Sequence, residues 1–300
     1  MIRRVLALLG AAAVTTLGLT ACEPPPEYDI ALFGDVPYGS NDGPRFDNMI
    51  RSINGSNAVF SAHLGDIGPP ESVTCTNAWV DRETVRYDTL QRPMVYTPGD
   101  NEWTDCGSSQ QQTRLSYLRS RILRGTGTPS RGATTMPLET QASRGYPENG
   151  RWSRGPVTFA TLHIVGSRDN YSNQSEFGPR RQATLDWVAQ TFDLARQQGK
   201  EGVVLLAQAD PNLDQAASDS GATAYRSMFE AVTGQTRLFD GEVLFVHGDG
   251  HTFKNQKPMA GLSNLRRVQV EGDSKVSYVR VHVDPGAGAD LFTVSKSQSF

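Results

Sequence analysis

Four apolar runs in this chain each stop at a Gly-Asp pair, and that recurrence restricts the folds open to it. Ile30-Ala-Leu-Phe33 leads into Gly34-Asp35, Val59 to Leu64 into Gly65-Asp66, and Met94-Val-Tyr96 into Gly99-Asp100. The fourth, Val243-Leu-Phe-Val246, ends in His247-Gly-Asp-Gly-His251. Short apolar runs bounded by turn residues read as buried strands. Side chains just past the carboxyl ends of such strands are a recurrent place to build a site. Glycine lets the backbone turn sharply there, and aspartate supplies a hard oxygen ligand. One Gly-Asp is a common turn. Four in this setting point to a carboxylate-rich metal centre.

Three hundred residues, 37% of them hydrophobic and 29 of them Gly, suit one large domain or two small ones with a sizeable core. The formal charge of -3 and the lack of a Lys/Arg cluster argue against a nucleic-acid-binding surface. Strand and helix alternate along the chain: strands near 28–33, 58–64, 93–97, 157–165, 203–207 and 242–247, helices near 44–54, 76–91, 110–124, 180–198 and 222–234. The Gly/Ser/Thr/Pro-rich stretch 125–150 reads as a site rim or a mobile insertion. Residues 267–270 and 276–283 alternate as antiparallel strands do.

The first residues read as a targeting signal. Met1-Ile-Arg-Arg4 and the apolar Val5 to Leu19 precede Leu19-Thr-Ala-Cys22, which looks like a bacterial lipobox. We therefore expect a leader over 1–21, lipidation of Cys22, a Pro-rich spacer over 22–27 and one domain over 28–300. This makes an exported protein held at the extracytoplasmic face of the cell membrane. Once Cys22 is lipidated, Cys75 and Cys106 remain, most simply as a disulfide.

The order of these motifs resembles the calcineurin-like metallophosphoesterases, the superfamily that includes purple acid phosphatases. Its pattern runs Asp-x-His, Gly-Asp-x-x-Asp/Tyr, Gly-Asn-His-Asp/Glu, a lone His near a Pro, then Gly-His-x-His. The counterparts are Asp35-Val-Pro37, Gly65-Asp66, Gly99-Asp-Asn-Glu102, the segment around Gln208-Ala-Asp-Pro211, and Gly248-Asp-Gly-His251. The longer string Tyr96-Thr-Pro-Gly-Asp-Asn-Glu-Trp-Thr-Asp-Cys106 looks like a particular bacterial branch of that superfamily. The resemblance spans roughly residues 28 to 285. It implies an α/β fold, a four-layer αββα sandwich of two packed sheets flanked by helices, and a phosphoesterase with two divalent metal ions.

Carried over residue by residue, the resemblance implies that Asp35 and His251 hold one metal and that Asp66 bridges it to a second. Two cations held about 3.5–4 Å apart can share a hydroxide for in-line attack on phosphorus. Asp100 stands where the family has a metal-binding Asn, and Asp249 where it has a His. Three positions depart from the pattern: Pro37 and Asn101 replace histidines, and the fourth motif offers Gln208 or Asp210 instead of His. Asn101 can donate a hydrogen bond to a phosphoryl oxygen but cannot supply a proton, so the general acid is lost. His63 and His247 read as residues that orient the site, with direct ligation as the alternative. Arg151 and Arg168 are the cations to look for near a bound anion. The oxygen-rich donor set favours hard ions such as Mn²⁺, Mg²⁺ or Ca²⁺ over softer Zn²⁺; Mn²⁺ or Mg²⁺ is the expected pair, with Fe, Zn²⁺ or Ca²⁺ as the alternatives. The expected partners are a small phosphorylated substrate and the membrane, with no nucleic acid, and the chain is expected to be a monomer. The other function class consistent with the lost histidines is a catalytically weakened envelope protein that binds metal or a phosphorylated ligand.

Overall fold

The computed structural model describes residues 25–39, 41–215 and 220–300, so the leader and Cys22 lie outside the described residues. The first half supplies β1 (Tyr28–Phe33), α1 (Asp42–Gly55), β2 (Ala58–His63), α2 (Asn77–Tyr87), β3 (Met94–Tyr96) and α3 (Gln111–Arg121). There follow β4 (Glu139–Gln141), β5 (Tyr146–Arg154), β6 (Val157–Thr161) and the one-turn α4 (Gly166–Asp169). The long helices α5 (Gln174–Gln197) and α6 (Ser220–Arg237) alternate with β7 (Gly202–Leu206) and β8 (Glu242–His247). The chain closes with β9 (Lys254–Gln256), β10 (Leu265–Gln269), β11 (Val279–Val283) and β12 (Phe292–Lys296).

Two sheets result, ordered β12-β11-β1-β2-β3 and β4-β5-β6-β7-β8-β10-β9. Strands β1, β2 and β3 run parallel, as do β6, β7 and β8. Side chains alternate across a strand, and this alternation sorts the layers. Ile30, Leu32, Phe60 and Leu64 meet Phe159, Val204, Leu206, Leu244 and Val246 between the sheets. The opposite faces of β1 and β3, through Ala31, Phe33 and Met94, pack on Phe46, Met49, Val80 and Leu118 of the first three helices. The outer face of the other sheet, through Ala160, Val203, Leu205 and Phe245, packs on Trp187, Phe192, Met228 and Val232 of α5 and α6. Full burial of one such side chain stabilises by about 1.5–3 kcal/mol. The arrangement is a four-layer αββα sandwich.

Three local expectations change. The second half of the 125–150 stretch is not a rim or an insertion, because β4 and the start of β5 form the edge of the seven-stranded sheet. Its strands are polar in sequence because their buried groups are paired: Glu148 takes Arg119 and His163, and Arg151 takes Glu139. Strand β10 runs parallel to β8, with Val268 opposite Val246, and antiparallel only to β9. The connection after β8 is long enough to cross over, which a parallel pair requires. Helix α5 begins at Gln174 rather than near 180, and its early turns bury Arg180 against Asp169 and Glu176, each at 2.7 Å.

Candidate metal centre

Parallel strands end on one edge, so the loops after β1, β2 and β3 bring Asp35, Asp66 and Asp100 together from one sheet. From the other sheet the loops after β6, β7 and β8 bring Gly166, Gln208, Asp249 and His251. Oxygen and nitrogen atoms of Asp35, Asp66 and His251 lie within 4.8 Å of one another, and so do those of Asp66, Asp100 and Asp249. Asp66 belongs to both triads. Within the first, His251 Nε2 is 3.6 Å from Asp35 Oδ1, and the Asp249 backbone N–H donates to that oxygen at 3.0 Å.

The backbone is strained where these side chains converge. Asp35, Asp66, Asp249 and His251 all hold φ between 54° and 65°. For a non-glycine residue this left-handed region costs roughly 1–2 kcal/mol, and such strain collects at functional sites. The sequence suggested that glycine supplies the sharp turn before each aspartate. In the structure Gly65 does turn, at φ 87°, but elsewhere the aspartates Asp35 and Asp249 turn themselves, as does Asp66 after Gly65, while Gly99 and Gly248 make room. A Cβ on Gly99 would sit 2.1 Å from Asp66 Oδ1, and one on Gly248 2.3 Å from Asp35 Oδ2.

Burial and mutual repulsion act on every carboxyl here. Asp35 and Asp66 are pushed well above the usual carboxylate range, first by loss of solvent and then by their acidic neighbours. Asp100 is pushed up to about 7 by burial, with Asp249 and Asp105 adding to it. Asp249 is an exposed residue whose carboxyl nonetheless turns inward, and desolvation raises it too. Clustered carboxylates with raised pKa are relieved by cations, so the donor set fits divalent ions.

Comparison with solved structures agrees with this architecture. A dimetal phosphatase from Danio rerio matches with a TM-score of 0.56 and 14% identity, over 90% of this chain and 99% of that one. This is the metallo-dependent phosphatase fold. A 5'-nucleotidase from Candida albicans aligns at TM-score 0.46 and 8% identity, over 91% of this chain and 52% of that one. A phosphopantetheinyl hydrolase from Mycobacterium tuberculosis aligns at 0.45 and 13%, over 82% and 90%. The sequence itself matches no family model and no curated protein.

On this phosphatase fold the remaining expected residues divide. Gln208 enters the cluster, whereas Asp210 does not. Asp210 Oδ2 takes Arg267 at 2.9 Å, and its Oδ1 accepts the Leu213 backbone N–H. His247 is also turned away: Nε2 accepts from Arg267 at 3.0 Å, which leaves Nδ1–H to donate to the Gly248 carbonyl. His63 ties two loops, accepting from Gly65 N–H at Nδ1 and donating from Nε2 to the Val36 carbonyl. Arg151 is corrected as a substrate cation. Its Nε and Nη2 bind Glu139, and the guanidinium lies over Trp187, 4.3 Å from the ring centre. Arg168 is exposed, two residues past Gly166, on a left-handed turn in which Ser167 to Asn170 all have φ between 48° and 60°.

Asn101 also needs correcting. Both its amide hydrogens are engaged, with Tyr38 Oη at 2.7 Å and the Gly68 carbonyl at 3.0 Å, so neither is left for substrate. Tyr38 passes the bond on, donating to Asp66 Oδ2 at 2.9 Å. Behind them the Cys75–Cys106 disulfide closes on the Asn101 carbonyl, its sulfurs 3.8 and 3.5 Å from that oxygen. Glu102 is a residue whose role the motif did not disclose. Fully buried, it accepts from the backbone N–H of Gly99, Asp66 and Ile67 and from Tyr96 Oη, clamping the second and third loops together. The polar string 166–170 reads in sequence as a pocket-lining loop, but the close approach of Gly166 itself leaves no chemical signal there.

Proposed function

We propose that the chain is a divalent-cation-dependent phosphoesterase, exported and lipid-anchored through Cys22. The observation that carries this reading is the sharing of Asp66 by two ligand triads at the joined ends of two parallel strand sets. Bound there, cations supply Lewis-acid stabilisation of a phosphoryl group and activation of a water. The chain's own groups orient that chemistry. Tyr38 and the Asn101 backbone N–H fix the two oxygens of Asp66, at 2.9 and 3.2 Å. Arg168 is the cation we assign to the substrate's phosphoryl oxygens, carried by the turn that packs Gly166 on the cluster.

Asn101 stands where the family has a histidine and an amide supplies no proton to the leaving group, which directs the enzyme to esters with good leaving groups. Four carboxylates offset two divalent charges, so singly charged diesters are favoured over dianionic monoesters and Mn²⁺ or Mg²⁺ over Zn²⁺. The disulfide supports export, since such bonds persist in oxidising compartments. The test is hydrolysis of aryl phosphate mono- and diesters by purified protein with each cation in turn. Turnover with Mn²⁺ or Mg²⁺, faster on diesters and lost to chelator, is expected. Absence of turnover with every cation, or tight Zn²⁺ dependence with monoester preference, overturns the reading.

A further inference from the structure

The carboxylates of the second triad already share a donor. Gln208 is fully buried, and its Nε2 lies 3.1 Å from Asp66 Oδ2, 3.0 Å from Asp100 Oδ1 and 3.2 Å from Asp249 Oδ1. An amide nitrogen carries two hydrogens and offers no lone pair to a cation. Three anionic acceptors therefore divide two hydrogens, in the place where a second ion would bring its charge.

The amide is held in this sense from behind. Gln208 Oε1 accepts the Gly166 backbone N–H at 2.5 Å. Turning the amide over sets its NH₂ against that N–H, and each buried group left unpaired costs about 1–3 kcal/mol. Gly166 is itself seated on the cluster: a Cβ there would lie 2.3 Å from Asp249 Oδ1 and 2.5 Å from Asp100 Oδ2. Among the described residues no side-chain amide donates to Asp35 or His251, the two members that belong only to the first triad.

We infer that the two cation positions are unequal: Asp35, Asp66 and His251 hold an ion firmly, while the Asp66–Asp100–Asp249 position is filled by the Gln208 amide and accepts an ion only by displacing it. This rests on the cation-dependent reading above. Cation binding then proceeds in two stages, and activity that needs both ions rises only with the second, which Gln208 sets.

The test is titration of the metal-free full chain with Mn²⁺, followed by calorimetry and electron paramagnetic resonance. The wild type is expected to bind one ion tightly and a second roughly 10–100-fold more weakly, with the resonance of isolated Mn²⁺ at one equivalent. Gln208→His, which offers a lone pair in place of the amide hydrogens, is expected to raise the second affinity towards the first and to give a spin-coupled pair. Two ions of matched affinity in the wild type overturn the inference while leaving the phosphoesterase reading intact, and this outcome needs no variant. A Gln208→His protein that folds and shows the wild-type titration overturns the part assigned to Gln208. A wild type that binds no cation removes the phosphoesterase reading and this inference together.

Discussion

The hydroxyl of Tyr38 donates to Asp66 Oδ2 at 2.9 Å while accepting from Asn101 Nδ2. Burial and the adjacent carboxylates hold the phenol above its ordinary pKa, so it remains a donor. A hydrogen bond to a charged group contributes about 1.5–3 kcal/mol. Tyr38→Phe is therefore expected to lower turnover by roughly ten- to a hundredfold with little loss of fold. Turnover and Mn²⁺ affinity measured side by side check this, and a variant unchanged in both removes Tyr38 from the site.

His63 gives a pH dependence with a definite sign. Burial lowers its pKa from 6.5 to about 4. A histidine depressed in the folded state contributes stability that is present above its unfolded pKa and is lost as pH falls towards the folded one. Protonating Nδ1 also sets it against the Gly65 N–H that now donates to it. The stability advantage of wild type over His63→Gln should shrink by up to about 3 kcal/mol between neutral pH and pH ~4. Chemical unfolding across that range measures the gap, and a constant gap contradicts the assignment.

The metal loops were legible in the sequence because each is an apolar strand punctuated by Gly-Asp, a local signal that tertiary packing preserved. What the side chains do there was less legible. Asn101 looked free to meet substrate, but Tyr38 and Gly68, distant in sequence, take both its hydrogens. The Gly/Ser/Thr/Pro-rich composition of 125–150 hid β4 and the start of β5, where Glu148 and Arg151 are buried against partners elsewhere in the chain. The fourth motif left Gln208 and Asp210 open, and the choice rests on partners remote in sequence: Gln208 reaches Asp66, Asp100 and Asp249, whereas Asp210 is taken by Arg267.

The disulfide joins Cys75 to Cys106 across 31 residues. Closing a loop of that size stabilises by about 3–4 kcal/mol in the chain-entropy account. Reduction, or the double replacement by Ser, should lower the unfolding free energy by this order and loosen the Asn101 carbonyl on which both sulfurs rest. Denaturant unfolding with and without reductant checks it; identical midpoints speak against a formed bridge.

Anchoring is tested apart from catalysis. Cys22→Ser should move the protein from membrane to soluble fractions and leave ester hydrolysis unchanged. A wild-type chain that fractionates as soluble, or whose mature protein begins elsewhere, rules out lipidation at Cys22.

Asp66 is common to both triads, so a change there bears on the whole account. Asp66→Asn keeps the size of the side chain and removes its charge. The direct measurement is bound metal per chain together with phosphoester turnover in this variant. The account predicts that both fall together, by at least about a hundredfold in turnover. A variant that keeps its metal and its turnover contradicts it.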